Sequence, residues 1–310
     1  MTTATSTLRL GTRRSALALA QSTTVADNVR RHGHAVELVE VVTEGDRSSE
    51  AIATMGGTGV FVTELRRQLL AGSIDLAVHS LKDLPTQPAE GLVVVALPQR
   101  EDPRDALVSR EGVTLAELPS GSRVGTGSPR RTAQLRALGL GLEVVAIRGN
   151  VDTRLRKVSE GDVDAVVVAA AGLARLGRLG EVAEILDPGQ MLPAPGQGAL
   201  AVECRADDET LQKALAVLDD PVTRAATSAE RTLLAALEAG CTAPVGALAD
   251  VAVGDDGDEI YLRAVVASTD GSTTVRLSAT GPFNDPEGLG RRLAEDLLSA
   301  GAAGLIGENP

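Results

Sequence analysis

The chain has 310 residues, 43% hydrophobic and 23% charged, enough apolar material for two or three globular domains. A formal net charge of -12 argues against a nucleic-acid or anionic-membrane partner, and no Trp, one Tyr and two Phe leave nothing to stack bases on. The core must be aliphatic, and two cysteines with three histidines (His32, His34, His79) cannot build a Cys-rich zinc site at the usual spacings.

In chain order, Leu8 to Leu10 read as a short strand, Gly11 and Thr12 as a turn, and Ser15 as a helix start. The helix runs through Leu17, Leu19, Val25 and Val29 to a stop at Gly33. Its opening, "TRRSALALAQS", imitates a twin-arginine export signal, but the apolar segment from Ala16 to Ala20 is too short and Gln21 closes it. Phe61, in "GGTGVFVTEL", has the composition of a core residue and the Gly-rich approach of a mobile loop. "LLAGSIDLAVHS" predicts a helix end, Gly-x-Ile-Asp, and a buried strand that delivers His79, Ser80, Lys82 and Asp83 to its carboxyl end. Pro85 then blocks a helix.

The design recurs. "SRVGTGSPRRTAQLRALG" reads as strand, Gly125-Thr126 turn, Ser128 cap and Pro129 at the first helical position. "VSEGDVDAVVVAA" repeats the helix end, Gly-x-Val-Asp and strand. Two related α/β domains are implied, forming a cleft, with ligands at the carboxyl ends of their strands and hinges near "LPQREDPRD" and "LPAPGQGALAVE". In "ALAVECR" a period of two places Cys204 on the buried face of a strand, with Ala201, Glu203 and Arg205 on the other. The longest apolar run, Ala165 to Ala174, is too short to span a bilayer, and a soluble, cytoplasmic protein is expected.

From Pro221 the pattern changes to an amphipathic helix with Leu233, Leu234 and Leu237 on one face. Three strands follow, Val245 to Val253, Glu259 to Ser268 and Thr273 to Thr280, and "DPEGLGRRLAEDLLSAG" closes as a helix. This predicts a small C-terminal α+β domain with a three-stranded antiparallel sheet, and puts Cys241 on the loop before its first strand.

Lys82 and Asp83 sit at a strand's ligand end in a chain with only two other lysines. Arginines recur at comparable places: Arg13 and Arg14, Arg130 and Arg131, Arg148, Arg154 and Arg156, and Arg175. Guanidinium groups at strand ends and helix N-termini suit several carboxylates or phosphates, and make a positive pocket in a negative body. "GTGSPRR" lacks the Gly-Lys-Ser/Thr ending of a P-loop, which disfavours nucleotide phosphate. Cys241 has no sequence-local base, so a core thiol, a disulfide half, a nucleophile and a covalent tether all stay open. A solute-binding module and a transferase for phosphorylated substrates are the competing readings.

"RLGTRRSALALAQ", "GVFVTELRRQLLAGSIDLAVHSLKDLPT", "VGTGSPRRTAQL", "IRGNVDTRLRK", "AAAGLARLG", "LPAPGQGALAVECR" and "GCTAPVG" together resemble the porphobilinogen deaminase (hydroxymethylbilane synthase) family, in order from Leu8 to about Ala249. The resemblance implies two periplasmic-binding-protein-like α/β domains and a C-terminal α+β domain, divided as 1–99 with 200–219, 100–199 and 220–310. It implies a transferase that joins four porphobilinogen molecules with loss of ammonia into linear hydroxymethylbilane, a step of tetrapyrrole biosynthesis. A dipyrromethane cofactor would hang by a thioether from Cys241, and Asp83 would be the catalytic aspartate. Arg148 and Arg175 would lie nearest the reacting amine and the incoming substrate, with Lys82 beside them. Arg13, Ser15, Ser80, Thr126, Ser128, Arg130, Arg131, Arg154 and Gln197 would bind cofactor and substrate carboxylates, and Phe61 would pack on a pyrrole ring. The resemblance also implies a monomer whose product passes to uroporphyrinogen-III synthase. Thr54 and Thr58 stand where many relatives carry lysines, and Glu44 where a basic residue is common, while the match at Asp46 remains.

Overall fold

The computed structural model describes residues 7–41, 59–238, 243–254 and 257–306. Contacts divide the chain into two compact units, Met1–Arg100 with Ala199–Arg224 and Glu101–Gly198 with Ala225–Pro310.

The first unit holds β1 (Leu8–Thr12), α1 (Ala16–Arg31), β2 (Val36–Glu40), α2 (Gly59–Leu70), β3 (Leu76–Ser80), β4 (Leu92–Ala96), β10 (Leu200–Arg205) and α6 (Glu209–Leu215). Its sheet runs β2-β1-β3-β10-β4, parallel at β2-β1-β3, with β10 antiparallel to both neighbours. The second unit repeats this plan with β5 (Asp105–Ser109), β6 (Arg123–Thr126), α3 (Pro129–Ala137), β7 (Glu143–Ala146), α4 (Val151–Ser159), β8 (Ala165–Ala169), α5 (Ala170–Arg175) and β9 (Glu184–Ile185). Its order is β7-β6-β8-β5-β9, with β5 the reversed strand.

The sequence repeat has a physical cause. After each Gly-turn, Gly72 at φ +68° and Gly161 at φ +81°, an aspartate clamps a residue at the start of the neighbouring parallel strand. Asp75 accepts from the Arg9 N–H at 2.9 Å, and its own N–H donates to the Arg9 carbonyl. Asp164 does the same with Arg123, at 2.8 Å and 2.9 Å. Each pair fixes the register of a parallel ladder that no hairpin turn sets.

Both large sheets carry apolar clusters on each face, as sheets of mostly parallel strands require. This overturns one expectation. β10 is buried on both faces, so Glu203 lies inside with Cys204 rather than opposite it in solvent. Glu203 accepts from Arg66 Nε and Nη2 on α2 at 2.8–3.1 Å and lies 3.2 Å from His79 Nε2 on β3. Burial disfavours its charge, but His79 and Arg66 outweigh that and hold its pKa below the ordinary 4.5. Burial pushes the Cys204 thiol up to about 11, which leaves it inert.

The second unit also contains α7 (Pro221–Ala236, from Ala225 on), an antiparallel sheet β11 (Val245–Gly254), β12 (Gly257–Ala267) and β13 (Thr274–Pro282), α8 (Pro286–Ser299) and α9 (Ala303–Ile306). β13 alternates in exposure along its length, which is the pattern of an antiparallel sheet with one wet face. Leu233 of α7, Leu237 just after it, and Leu289, Leu293 and Leu297 of α8 fill this sheet's own core. Glu230, fully buried on α7, accepts from Gly196 N–H at 2.6 Å and Ala249 N–H at 2.9 Å, tying the segment before β10 to β11. Among the described residues no helix is long and apolar enough to cross a membrane.

Candidate active site

In the first unit the candidate side chains gather at the carboxyl ends of β1 and β3. Ser15 caps α1, its Oγ accepting from Ala18 N–H at 3.3 Å, so the expected helix start holds. Arg13 is half-buried between β1 and this cap. Ser80 ends β3 and its Oγ accepts from Gln21 Nε2 of α1 at 2.9 Å. A 3-10 turn over Leu81–Asp83 follows, with Leu81 N–H donating to the Ala199 carbonyl and Leu84 N–H to the Leu81 carbonyl. Leu81 and Leu84 are buried on either side. Lys82 and Asp83 therefore project, half-buried, from a turn pinned at both ends. Among the described residues no hydrogen bond or ion pair reaches the Asp83 carboxylate. Phe61 falls in the first turn of α2, and its side chain lies outside the described residues.

In the second unit β6 ends at Thr126, which is buried and accepts from Ser128 N–H at 3.2 Å. Ser128 caps α3 and accepts from Arg131 N–H at 3.5 Å. Gly127 between them is a close approach, since a Cβ there would stand 2.6 Å from the Ile147 carbonyl oxygen. Arg130 and Arg131 begin α3 as expected, yet their side chains are only 4% and 6% exposed. The fold turns them inward onto Asp105, the first residue of β5. Arg131 Nη2 donates to Asp105 Oδ1 at 2.7 Å, and Arg130 Nη2 lies 2.9 Å from Oδ2 as an ion pair without hydrogen-bond alignment. Gln197 is fully buried, and its Nε2 donates to Asp105 Oδ1 and to the Pro103 carbonyl, both at 2.8 Å.

The electrostatics of this cluster are lopsided. Burial works against the Asp105 charge, but Arg130 and Arg131 more than offset it and hold the carboxyl far below the usual range. Burial lowers the Arg130 pKa, Asp105 opposes that, and the like charge of Arg131 adds to it. Two guanidiniums face one carboxylate, and the Nε–H of each is buried without an acceptor. Arg154, half-buried on α4, donates from Nε to the Gly149 carbonyl at 2.9 Å. Burial and then the charge of Arg131 lower its pKa. Arg175, at the end of α5, donates from Nη2 to the Gly198 carbonyl at 2.6 Å, and burial outweighs Glu101 to lower its pKa. Gly198 sits at φ +89°, with an added Cβ 2.4 Å from the Glu101 carbonyl oxygen, so this segment also needs a glycine. Arg148 stands apart, exposed after β7, with no side-chain hydrogen bond or ion pair among the described residues. Cys241 lies in residues 239–242, outside the described residues, between Leu237 and Val245, both buried.

Asp105 and Glu203 were not singled out from the sequence. The signal for each was an acid inside an otherwise apolar strand segment, "DALVS" and "LAVEC". Such a residue is buried only with partners.

Family models and curated relatives agree over nearly the whole chain. A family model described as porphobilinogen deaminase, dipyromethane cofactor binding domain, matches residues 8–213, and one for the porphobilinogen deaminase C-terminal domain matches residues 225–299. Porphobilinogen deaminase 1 of Streptomyces coelicolor is 60% identical over 97% of this chain and 98% of its own length. The porphobilinogen deaminases of Mycobacterium tuberculosis and Nocardia farcinica are 58% and 57% identical, over 96% and 97% of this chain and 98% and 88% of theirs. Among solved structures, a TRAP periplasmic solute binding protein from Pseudomonas putida F1 aligns with 69% of this chain and 77% of its own at 11% identity and a TM-score of 0.40, too slight a likeness to argue from. With both family models matched in tandem and relatives this similar across nearly every residue, the chain belongs to the porphobilinogen deaminase family.

Proposed function

We propose that this chain condenses four porphobilinogen molecules head to tail, releasing ammonia at each join, to give linear hydroxymethylbilane on a dipyrromethane primer held by a thioether from Cys241. Beyond family membership, the observation that carries this reading is the uncompensated positive charge in the second unit. Arg130 and Arg131 share one protein carboxylate, and Arg154 and Arg175 bring two more guanidiniums from half-buried positions. Each pyrrole of substrate and primer bears an acetate and a propionate, so the ligand supplies the anions the protein withholds. The buried, unpartnered Nε–H groups of Arg130 and Arg131 fit such a group.

When bound, the primer supplies the nucleophilic pyrrole ring on which the chain grows. The protein's part is to bind, orient and stabilise. Arg13, Arg130, Arg131, Arg148, Arg154 and Arg175 hold ligand carboxylates, assisted by Ser15, Ser80, Lys82, Thr126, Ser128 and Gln197. Phe61 packs on a pyrrole ring. As ammonia leaves porphobilinogen, positive charge develops on its pyrrole nitrogen. A carboxylate fixed by its turn, with no cation on it among the described residues, offers Asp83 as the counter-charge and as the group that holds the proton given up by the ring. The same reading takes the enzyme to be a cytoplasmic monomer passing its product to uroporphyrinogen-III synthase. It also keeps the division into domains at 1–99 with 200–219, 100–199 and 220–310.

Intact-mass measurement of the purified protein tests the tether. The wild type is expected to exceed its sequence mass by two linked porphobilinogen units, and Cys241→Ala to lose both the excess and turnover. An unmodified, fully active wild type would remove the primer from Cys241.

A further inference from the structure

Asp105 occupies an unusual position for an acid. It opens β5, its backbone is locked between β8 and the Leu186 N–H, and its side chain has no solvent exposure. One carboxylate oxygen holds Arg131 and Gln197, and the other faces Arg130. The far sides of the two guanidiniums are also tied down, Arg131 Nη1 donating to the Val167 carbonyl at 3.0 Å and Arg130 Nη1 to the Leu192 carbonyl at 2.5 Å. Each arginine is therefore held by two of its three nitrogens, and its Nε–H is the group left without a protein acceptor.

Resting on the proposed binding role of Arg130 and Arg131, we propose that Asp105 is a positioning residue for substrate carboxylates, acting through these two arginines. One carboxylate with a guanidinium on each oxygen fixes the spacing and tilt of both at once. It also allows two like charges to share a site from which water is excluded. Gln197, reaching the same oxygen, ties this geometry to the segment that carries Gly196 and Gly198. Positioning and simple electrostatics predict opposite outcomes here. Removing a negative charge beside an anion site strengthens anion binding if charge alone matters, and weakens it if the carboxylate sets the geometry.

The experiment is steady-state kinetics with porphobilinogen on holoenzyme of confirmed primer content, comparing wild type, Asp105→Asn, Arg130→Gln and Arg131→Gln. Positioning predicts that Asp105→Asn raises KM about tenfold, matching either arginine variant, while kcat falls less than threefold. A KM that falls shows a purely electrostatic role, and an unchanged KM with lowered thermal stability shows a purely structural one; either overturns the proposal. Should the arginine variants leave KM unchanged, the binding reading fails instead. If Asp105→Asn does not fold, the Arg130→Gln, Asp105→Asn pair restores the buried net charge. Arg131 then loses the carboxylate that fixes it, so the KM of the pair is expected to exceed that of Arg130→Gln at least threefold, and a KM equal to or below that of Arg130→Gln overturns the proposal.

Discussion

Asp83→Asn is expected to lower turnover about a hundredfold or more while changing the KM for porphobilinogen less than threefold, on the scale of removing one preorganised charge from a transition state. The side chain keeps its size, and the turn that presents it depends on Leu81 and Leu84 rather than on the carboxylate. Folding should therefore be unaffected. What is lost is a half-buried negative charge that no cation among the described residues meets. Contrast Asp105 and Glu203, each committed to arginine. An acid at a strand's ligand end with no cation among the described residues has its charge available for a reaction that generates positive charge. The measurement is the single-turnover rate on loaded enzyme, and a rate within tenfold of wild type would take the catalytic role from Asp83.

Glu203→Gln is expected to act on stability, by about 3–5 kcal/mol at neutral pH, because it leaves Arg66 without its buried partner. The pH dependence follows from the direction of the shift. The Glu203 pKa is depressed in the fold, so its contribution is fully present above the unfolded value near 4.5 and is lost as pH falls through the lower folded value. The gap between wild type and variant in urea unfolding should thus be constant from pH 7 down to about 5 and narrow below 4.5. A gap that widens on acidification would contradict this account.

Local chemistry was legible in the sequence. Ser15 and Ser128 cap the helices assigned to them, and the Gly-x-x-Asp repeats end in clamps on the neighbouring strand. The three C-terminal strands fall within a few residues of their expected bounds. These features depend on residues close in sequence or on simple alternation. The contacts that were not legible have the opposite character. Glu203 meets Arg66 across 137 residues and Gln197 meets Asp105 across 92, distances over which periodicity carries no information. A period of two also cannot tell a half-buried strand from one covered on both faces, which is why Glu203 was assigned to solvent. Arg130 and Arg131 were placed on the right element, but their inward turn depends on Asp105, in a segment whose Pro and charge content reads as a hinge.

The reversed strands set an order of assembly. In the first unit β10 lies inside the sheet, between β3 and β4, and it follows β4 by more than a hundred residues. Synthesis proceeds from the N-terminus, so β1 to β4 leave the ribosome long before the strand that joins them. The second sheet has no such gap, since β5 to β9 occupy one continuous stretch from Asp105 to Ile185. The lobe encoded second should acquire protease resistance first on arrested nascent chains. Resistance of the first lobe before residue 205 has emerged would contradict this. The N-terminal segment, which carries Asp83, must wait open for the strand that joins β3 to β4, and that interval is when the chain is most exposed to chaperones and to aggregation.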